Sequence, residues 1–312
     1  MSSVERHHPW TWATIKLRIF AFLFRCLVFP KRIHNYRSRR AGPGVEFETL
    51  YVPSRDDGRT ITVDLYKPEG SGAKKLPVHI NWHGSGFLLP SHGEDVDFVK
   101  QGVLKTGAAF ADANYRKAPA HPFPAQSNDA EDVVAYFLSK PEVYDVSKVT
   151  VGGFSAGGSL ALGVATRFGP SRIRAAACIY PPCDFTVPIG TSPVACPKPR
   201  SGFPLPPWMS RLFNACYILP GTDRADPRLS PIKAAASDFP DTVFIACGNG
   251  DTLYDGGKRT IEKLQRDGHK RAEFMHIENE GHGFDKMARH PESKRNKQQM
   301  YDRLYQVIQE SW

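Results

Sequence analysis

The chain has 312 residues, 41% hydrophobic and 23% charged, which is long enough for a sizeable core and unlike a disordered or collagen-like composition. Its longest apolar run, Ile19 to Phe29, is cut by Arg25, so it falls short of the ~20 apolar residues that a membrane-spanning helix needs. The net charge of +9 is concentrated: residues 1–40 hold nine Lys and Arg against Glu5 alone, leaving +1 for the rest and excluding a basic nucleic-acid stripe through the body.

The first forty residues set Trp10, Trp12, Ile15, Ile19, Phe20, Phe22, Leu23, Phe24, Leu27 and Val28 among scattered cations, a spacing that predicts a helix with a broad apolar face. Two roles fit it, a lid over a site and an interfacial helix lying on an anionic membrane. The plainer alternative is a cover for part of the body's surface. From Val45 onward short strands alternate with helices. Glu46 to Val52 and Thr60 to Lys67 form a strand pair across the turn Asp56-Asp57-Gly58, and Pro77 to Trp82 and Ala108 to Ala113 are strands on either side of a helix, Glu94 to Lys105. A helix over Asn128 to Leu138, a strand over Lys148 to Gly153 and a small-residue helix over Ala156 to Phe168 follow, then strands at Arg174 to Tyr180, Thr242 to Cys247 and Ala272 to Ile277. This alternation predicts an α/β fold with a doubly wound, mainly parallel sheet covered on both faces.

Pro181 to Pro240 breaks the rhythm with 13 of the chain's 26 prolines, and reads as an insertion where a lid would be. Ser293 to Gln309 places Met300, Leu304, Val307 and Ile308 at helical spacing, as a docked surface helix does. Of the six cysteines, Cys178 and Cys247 sit inside apolar strand-like runs, which favours free buried thiols over disulfides. With no small-x-small cleavage site after the interrupted apolar stretch, the expectation is a reducing, cytoplasmic setting, with peripheral contact to an intracellular membrane open through the N-terminal segment. No Cys-x2-Cys pair and no His-Glu-x-x-His occurs, so no metal and no cofactor is indicated.

The chemistry starts at Gly153-Phe154-Ser155-Ala156-Gly157, a Gly-x-Ser-x-Gly directly after a predicted strand and directly before a helix. A nucleophile elbow needs that order and small flanking residues, because the serine sits in a strained turn. The Ala156 amide, at the helix N-terminus, then points where an oxyanion would form. About seventy residues upstream, a strand runs into His83-Gly84-Ser85-Gly86-Phe87, a loop whose backbone amides can approach a carbonyl oxygen. His83 itself is expected to fix the loop's shape by hydrogen bonds. A serine nucleophile needs a base, and the base an orienting carboxylate. Asp251, after the strand Val243 to Cys247, and His282, after Phe274 to Ile277, fall where acid and base should be. Asp255, His276 and His290 are the alternatives; Asp255 is displaced into a helix, His276 lies within a strand and His290 starts a polar stretch.

Taken together, His83-Gly84-Ser85-Gly86, Tyr115-Arg116-Lys117-Ala118-Pro119 with His121-Pro122-Phe123-Pro124-Ala125, Gly153 to Gly158, Ser230-Pro231, Asp251-Thr252-Leu253 and His282-Gly283-Phe284 resemble the ordered motifs of the hormone-sensitive-lipase-like carboxylesterases. The resemblance runs from about Val45 to the C-terminus. It implies an α/β-hydrolase fold with an eight-stranded sheet over residues 45–312, a cap insertion at about 184–235, and residues 1–44 as a further cap or lid segment. It implies Ser155 as nucleophile, His282 as base, Asp251 as its orienter, and the amides of Ser85, Gly86 and Ala156, with Gly84 in the loop, as oxyanion hole. This chain departs from the family in having Phe154 where an Asp is usual and Ser85 where a Gly is usual.

The expected activity is hydrolysis of a small or medium apolar ester or lactone through an acyl-enzyme, with tailoring of a secondary metabolite as one use. Trp10, Trp12, Phe87, Phe203 and Trp208 are expected to shape the substrate pocket. The competing readings are a lyase or dehydratase using the same pocket and a ligand-binding protein like the receptors that resemble this family; the intact Ser155, Asp251 and His282 argue against the latter. The expected partner is the small-molecule ester, not nucleic acid; the sequence sets no oligomeric state.

Overall fold

The computed structural model describes residues 7–9 and 11–312. One eight-stranded sheet organises the chain, in the order β1-β2-β4-β3-β5-β6-β7-β8. Strands β1 (Val45–Pro53) and β2 (Thr60–Pro68) form an antiparallel hairpin, and β2 pairs antiparallel with β4 (Ala109–Ala113). The remaining pairings, through β3 (Leu76–Trp82), β5 (Tyr144–Phe154), β6 (Ala175–Ile179), β7 (Thr242–Gly248) and β8 (Arg271–Ile277), are all parallel. The central strands are mainly apolar because both faces are covered: every residue of β4, β6 and β7 is buried, Asp112 and Thr242 included. On one face pack α3 (Val96–Thr106) and the C-terminal α8 (Pro291–Glu310), around Phe98, Phe110, Tyr301 and Tyr305. On the other face lie α4 (Ala125–Leu138), α5 (Ala156–Phe168) and α7 (Tyr254–Arg266), around Val133, Leu160 and Ile261. Small residues let α5 lie against β5 and β6; ten of its thirteen residues are buried.

Two boundaries differ from the sequence expectation by three residues or more. Helix α4 starts at Ala125 rather than Asn128, because Pro124 serves as its cap. Strand β5 starts at Tyr144, which pairs with Leu76 across a register shift. All six cysteines are free, four of them buried, Cys178 and Cys247 among these.

Three further helices lie outside the sheet's two covering layers. Helices α1 (Trp12–Leu27) and α2 (Phe29–Ser38) precede the sheet, and α6 (Pro207–Tyr217) stands inside the proline-rich insertion between β6 and β7. The prolines there do not prevent a helix: Pro207 occupies its first turn, where the missing N–H costs nothing. The N-terminal segment is tied to the body and to the insertion by specific bonds. Arg25 donates to the carbonyls of Leu88 and Ala118 (3.1 and 2.6 Å), His8 donates to Cys216 O (2.8 Å), and Arg39 forms a two-point ion pair with the buried Asp64. Phe24 of α1 stacks on Phe213 of α6, ring centroids 6.3 Å apart. The insertion is closed at its far end by Ser230, whose hydroxyl accepts from Phe185 N (2.8 Å) and donates to Arg224 O (2.6 Å).

Candidate active site

A cavity of about 400 Å³ opens at the C-terminal ends of the parallel strands, where doubly wound folds place ligands. Ser155, Ala156, Gly84, Ser85, Gly86 and His282 all line it.

Ser155 occupies the one residue between β5 and α5, at φ 50° and ψ −120°, a conformation that costs a non-glycine residue about 1–3 kcal/mol and persists only where its surroundings enforce it. The enforcement is visible. A Cβ on Gly153 would sit 2.5 Å from the Trp82 carbonyl oxygen, and one on Gly157 would overlap that same oxygen. Only glycine lets β3, the elbow and α5 converge, so the local sequence dictates the turn that sets the largely buried Ser155 in the cavity wall. Ser155 N donates to Ile179 O (2.9 Å), fixing the turn to β6.

Asp251 follows β7 and is completely buried. Its Oδ1 accepts from the Leu253 amide at 2.9 Å and its Oδ2 from His282 Nδ1 at 2.7 Å. Because a carboxylate only accepts, the imidazole proton lies on Nδ1, leaving Nε2 with a free lone pair. The His282 ring packs against Tyr180 (4.7 Å) and Phe203 (6.4 Å). Its backbone is held by Phe203, whose carbonyl accepts from His282 N at 2.8 Å, and its loop by the buried Glu280, which accepts from Arg200, Ser293 and Asn296. The alternatives are engaged elsewhere. Asp255 pairs with Arg259 one turn along α7, His276 bridges Tyr254 and Glu278 on edge strand β8, and His290 caps α8.

The loop after β3 approaches the elbow closely: a Cβ on Gly84 would come within 3.2 Å of Phe154 O. Gly86 is left-handed (φ 55°), and a Cβ there would lie 2.6 Å from the Phe213 ring. Ser85 turns its hydroxyl away, donating to Tyr115 Oη (2.7 Å), which in turn donates to His83 O (2.7 Å). His83 is buried and does not line the cavity. It stabilises the loop by stacking on Tyr115 (4.6 Å) and through the hydrogen bond that its carbonyl, not its ring, accepts from Tyr115 Oη.

Phe154, where the resemblance led to the expectation of an Asp, is held in the core by aromatic and cation contacts. Its buried ring meets Phe98 and Tyr301 edge-on and takes Lys286 Nζ at 3.8 Å from the centroid. Lys286 is the hub of an ion cluster the sequence did not single out, with Nζ 2.7 Å from Asp95 and 2.9 Å from Asp285. Asp285 also accepts from Tyr180 (2.6 Å) and Tyr301 (2.8 Å), and Asp95 from Asn81 (3.0 Å). The cluster ties the His282 loop to the segment after the Gly84 loop. Burial pushes the Asp95 carboxyl up to about 6 against the pull of Lys286, and burial opposes the Lys286 charge, yet Asp285 and Asp95 hold that ammonium well above its ordinary range. The available signal was a large aromatic inside the elbow, at Phe154, together with a lysine following the His282 motif.

The pocket aromatics chosen from the sequence divide. Phe87 and Phe203 line the cavity, Phe87 stacked face to face on Tyr217 (3.7 Å). Trp208 does not: it is 52% exposed, one position out of phase with Pro207 and Met209, which do. Trp12 is likewise turned to solvent, 78% exposed. Trp10 lies outside the described residues. The apolar wall is instead made by Phe24 and Val28 of α1 and its C-terminus and by Phe185, Leu205, Met209 and Phe213 of the insertion. Among the described residues no group of three or more His, Cys, Asp and Glu could hold a metal ion.

Comparison with known proteins adds an independent line. A family model described as the alpha/beta hydrolase fold matches residues 79–286. The ethyl acetate hydrolase of Pseudomonas putida is 27% identical over 224 residues, 68% of either chain. Probable carboxylesterase 1 of Arabidopsis thaliana is 24% identical over 286 residues, 80% of this chain and 82% of that one. Among solved structures, a thermostable carboxylesterase cloned from a metagenomic library superposes with a TM-score of 0.80 at 22% identity, covering 93% of this chain and 97% of that one. An esterase of the archaeon Pyrobaculum calidifontis does so with 0.76 at 23%, covering 95% and 97%. At these identities the superpositions show the shared fold alone.

Proposed function

The chain belongs to the α/β-hydrolase family, in its hormone-sensitive-lipase-like division, and from that premise we propose that it is a serine carboxylesterase acting on a small or medium apolar ester or lactone. The observation that carries this reading is the strained Ser155 in a cavity it shares with His282, whose Nδ1 is held 2.7 Å from the buried Asp251. Ser155 Oγ attacks the ester carbonyl carbon while His282 Nε2 takes its proton. The tetrahedral oxyanion accepts hydrogen bonds from the Ala156, Ser85 and Gly86 amides. Collapse of the adduct breaks the C–O bond, His282 returns the proton to the leaving alcohol, and a water activated by the same imidazole releases the acid. Asp251 stays ionised and steadies the imidazolium.

The predominantly apolar wall around Phe24, Phe185, Phe203 and Phe213 supports an apolar substrate, and the cavity's volume supports a small to medium one. The relatives named as ester hydrolases support the reaction type. We read residues 1–44 and about 184–235 as the cap, since Phe24 and Phe213 both contribute to the cavity wall. A p-nitrophenyl ester series of increasing acyl length tests the proposal. The expected result is a burst of p-nitrophenol followed by steady turnover, with preference for short and medium chains. Silence on every ester by the folded protein would overturn it.

A further inference from the structure

Helix α1 carries apolar side chains on two opposite faces, and the body uses only one. Leu17, Ala21 and Phe24 pack inward on the core, and Arg25 on the same side donates to carbonyls of the body. The outward arc holds Trp12, Ile19, Phe20, Phe22, Leu23 and Leu27, each more than half exposed, and α2 continues it with Phe29 and Tyr36. A helix lying on a protein core ordinarily presents charged and polar residues to water on that side. An apolar arc of this extent on a surface helix marks an interaction site.

The charge around the arc says which kind. No Asp or Glu occurs between Arg6 and Val45, a stretch in which the exposed Lys16, Arg37 and Arg40 accompany the apolar residues. Two copies of such a surface repel one another, whereas an anionic lipid surface attracts it. Among the described residues no helix is long and apolar enough to cross a membrane, so an apolar face flanked by cations fits the interface rather than the interior of a bilayer.

We propose that the outward faces of α1 and α2 dock on an anionic lipid bilayer. The opposite sides of the same helices supply Phe24, Val28, Lys31 and Asn35 to the cavity wall. Docking therefore brings the roof of the cavity to the lipid interface, where an apolar small molecule concentrates. The proposal goes beyond ester hydrolysis and stands without it, because lipid binding is read independently of turnover.

The test is co-sedimentation of the full chain with vesicles of phosphatidylcholine alone or with about 30% phosphatidylserine, at low and raised salt. Wild type should partition at least about tenfold more onto the anionic vesicles, and the preference should shrink as salt screens it. Ile19→Glu/Leu23→Glu and, separately, Lys16→Glu/Arg37→Glu should each weaken partition about tenfold or more while leaving turnover of a water-soluble ester unchanged. Equal sedimentation of wild type with both vesicle types, or with neither, would overturn the proposal without need of a variant. So would a dimer in analytical ultracentrifugation that Ile19→Glu/Leu23→Glu dissociates while vesicle partition stays the same.

Discussion

Ser155 follows directly on a central strand whose last six residues are all buried, whereas Phe213, which lines the same cavity, comes from a helix in which only Cys216 and Tyr217 are buried. The floor of the site is held by the sheet, by glycines that nothing else can replace and by buried ion pairs. Its roof is held by aromatic stacking between α1 and α6 and by a few bonds such as Arg25 to Leu88 O. Floor residues should therefore control kcat and stability, and roof residues substrate range and KM.

The largest expected effect is on the floor. Asp251→Asn should lower kcat roughly ten-thousandfold with little loss of stability, because an amide in that position favours the wrong imidazole tautomer. Asp255→Asn, in the same loop and helix region but paired with Arg259, should leave kcat near the wild-type value. The reverse ranking in steady-state kinetics would break the assignment of the floor.

Next is the ion hub. Lys286→Met removes the cation and leaves Asp95 and Asp285 buried without it, a cost of about 3–5 kcal/mol. The sign with pH follows from Asp95, whose folded-state carboxyl is raised to about 6: the folded state binds more protons than the unfolded one, so acidification favours it. Urea denaturation of the variant should consequently show a smaller deficit at pH 5 than at pH 8. An equal deficit at both would mean the cluster is not held by charge.

The roof should respond differently. Phe213→Ala widens the wall beside Gly86 and should raise KM for short esters several-fold and extend the accepted acyl length, with kcat changed less than about tenfold. Gly86→Ala puts a methyl group within 2.6 Å of the Phe213 ring at a left-handed φ, so it should lower kcat, and Phe213→Leu should recover part of the loss. If Phe213→Ala collapses kcat and leaves KM alone, the division between floor and roof is wrong.

The remaining effect touches stability at low pH alone and concerns the core beneath the floor. Burial lowers the His79 imidazole to about 3 from its ordinary 6.5, so it is neutral in the fold and protonated in the unfolded chain over that interval. The stability it secures is complete above pH 6.5 and falls as pH drops towards 3, at about 1.4 kcal/mol per pH unit. Chemical denaturation between pH 7 and 4.5 should give a flatter profile for His79→Asn than for wild type.

The same division governs what the sequence disclosed. The elbow was legible because its strain is met locally: Gly153, Ala156 and Gly157 must stand beside Ser155, and the strand and helix patterns flank them. Asp251 and His282 were legible because each follows a strand that the fold places at one edge of the cavity. The roof rests on contacts remote in the chain. Phe24 meets Phe213 from a different element, and nothing near either residue reveals the helical phase that turns Phe213 inward and Trp208 outward. In the sequence only size marks Trp12 and Trp208, and both are surface residues. Lys286 is not legible in the sequence because a lone lysine carries no pattern until Asp95 is brought to it by the fold.

The central claim, that Ser155 is a nucleophile activated by His282, is tested most directly by labelling the native protein with a fluorophosphonate and mapping the modified peptide. The account predicts a single phosphonylated residue, Ser155, with labelling abolished in Ser155→Ala and strongly slowed in His282→Ala while both variants remain folded by circular dichroism. Labelling at another residue, or ester turnover persisting in Ser155→Ala, would contradict it.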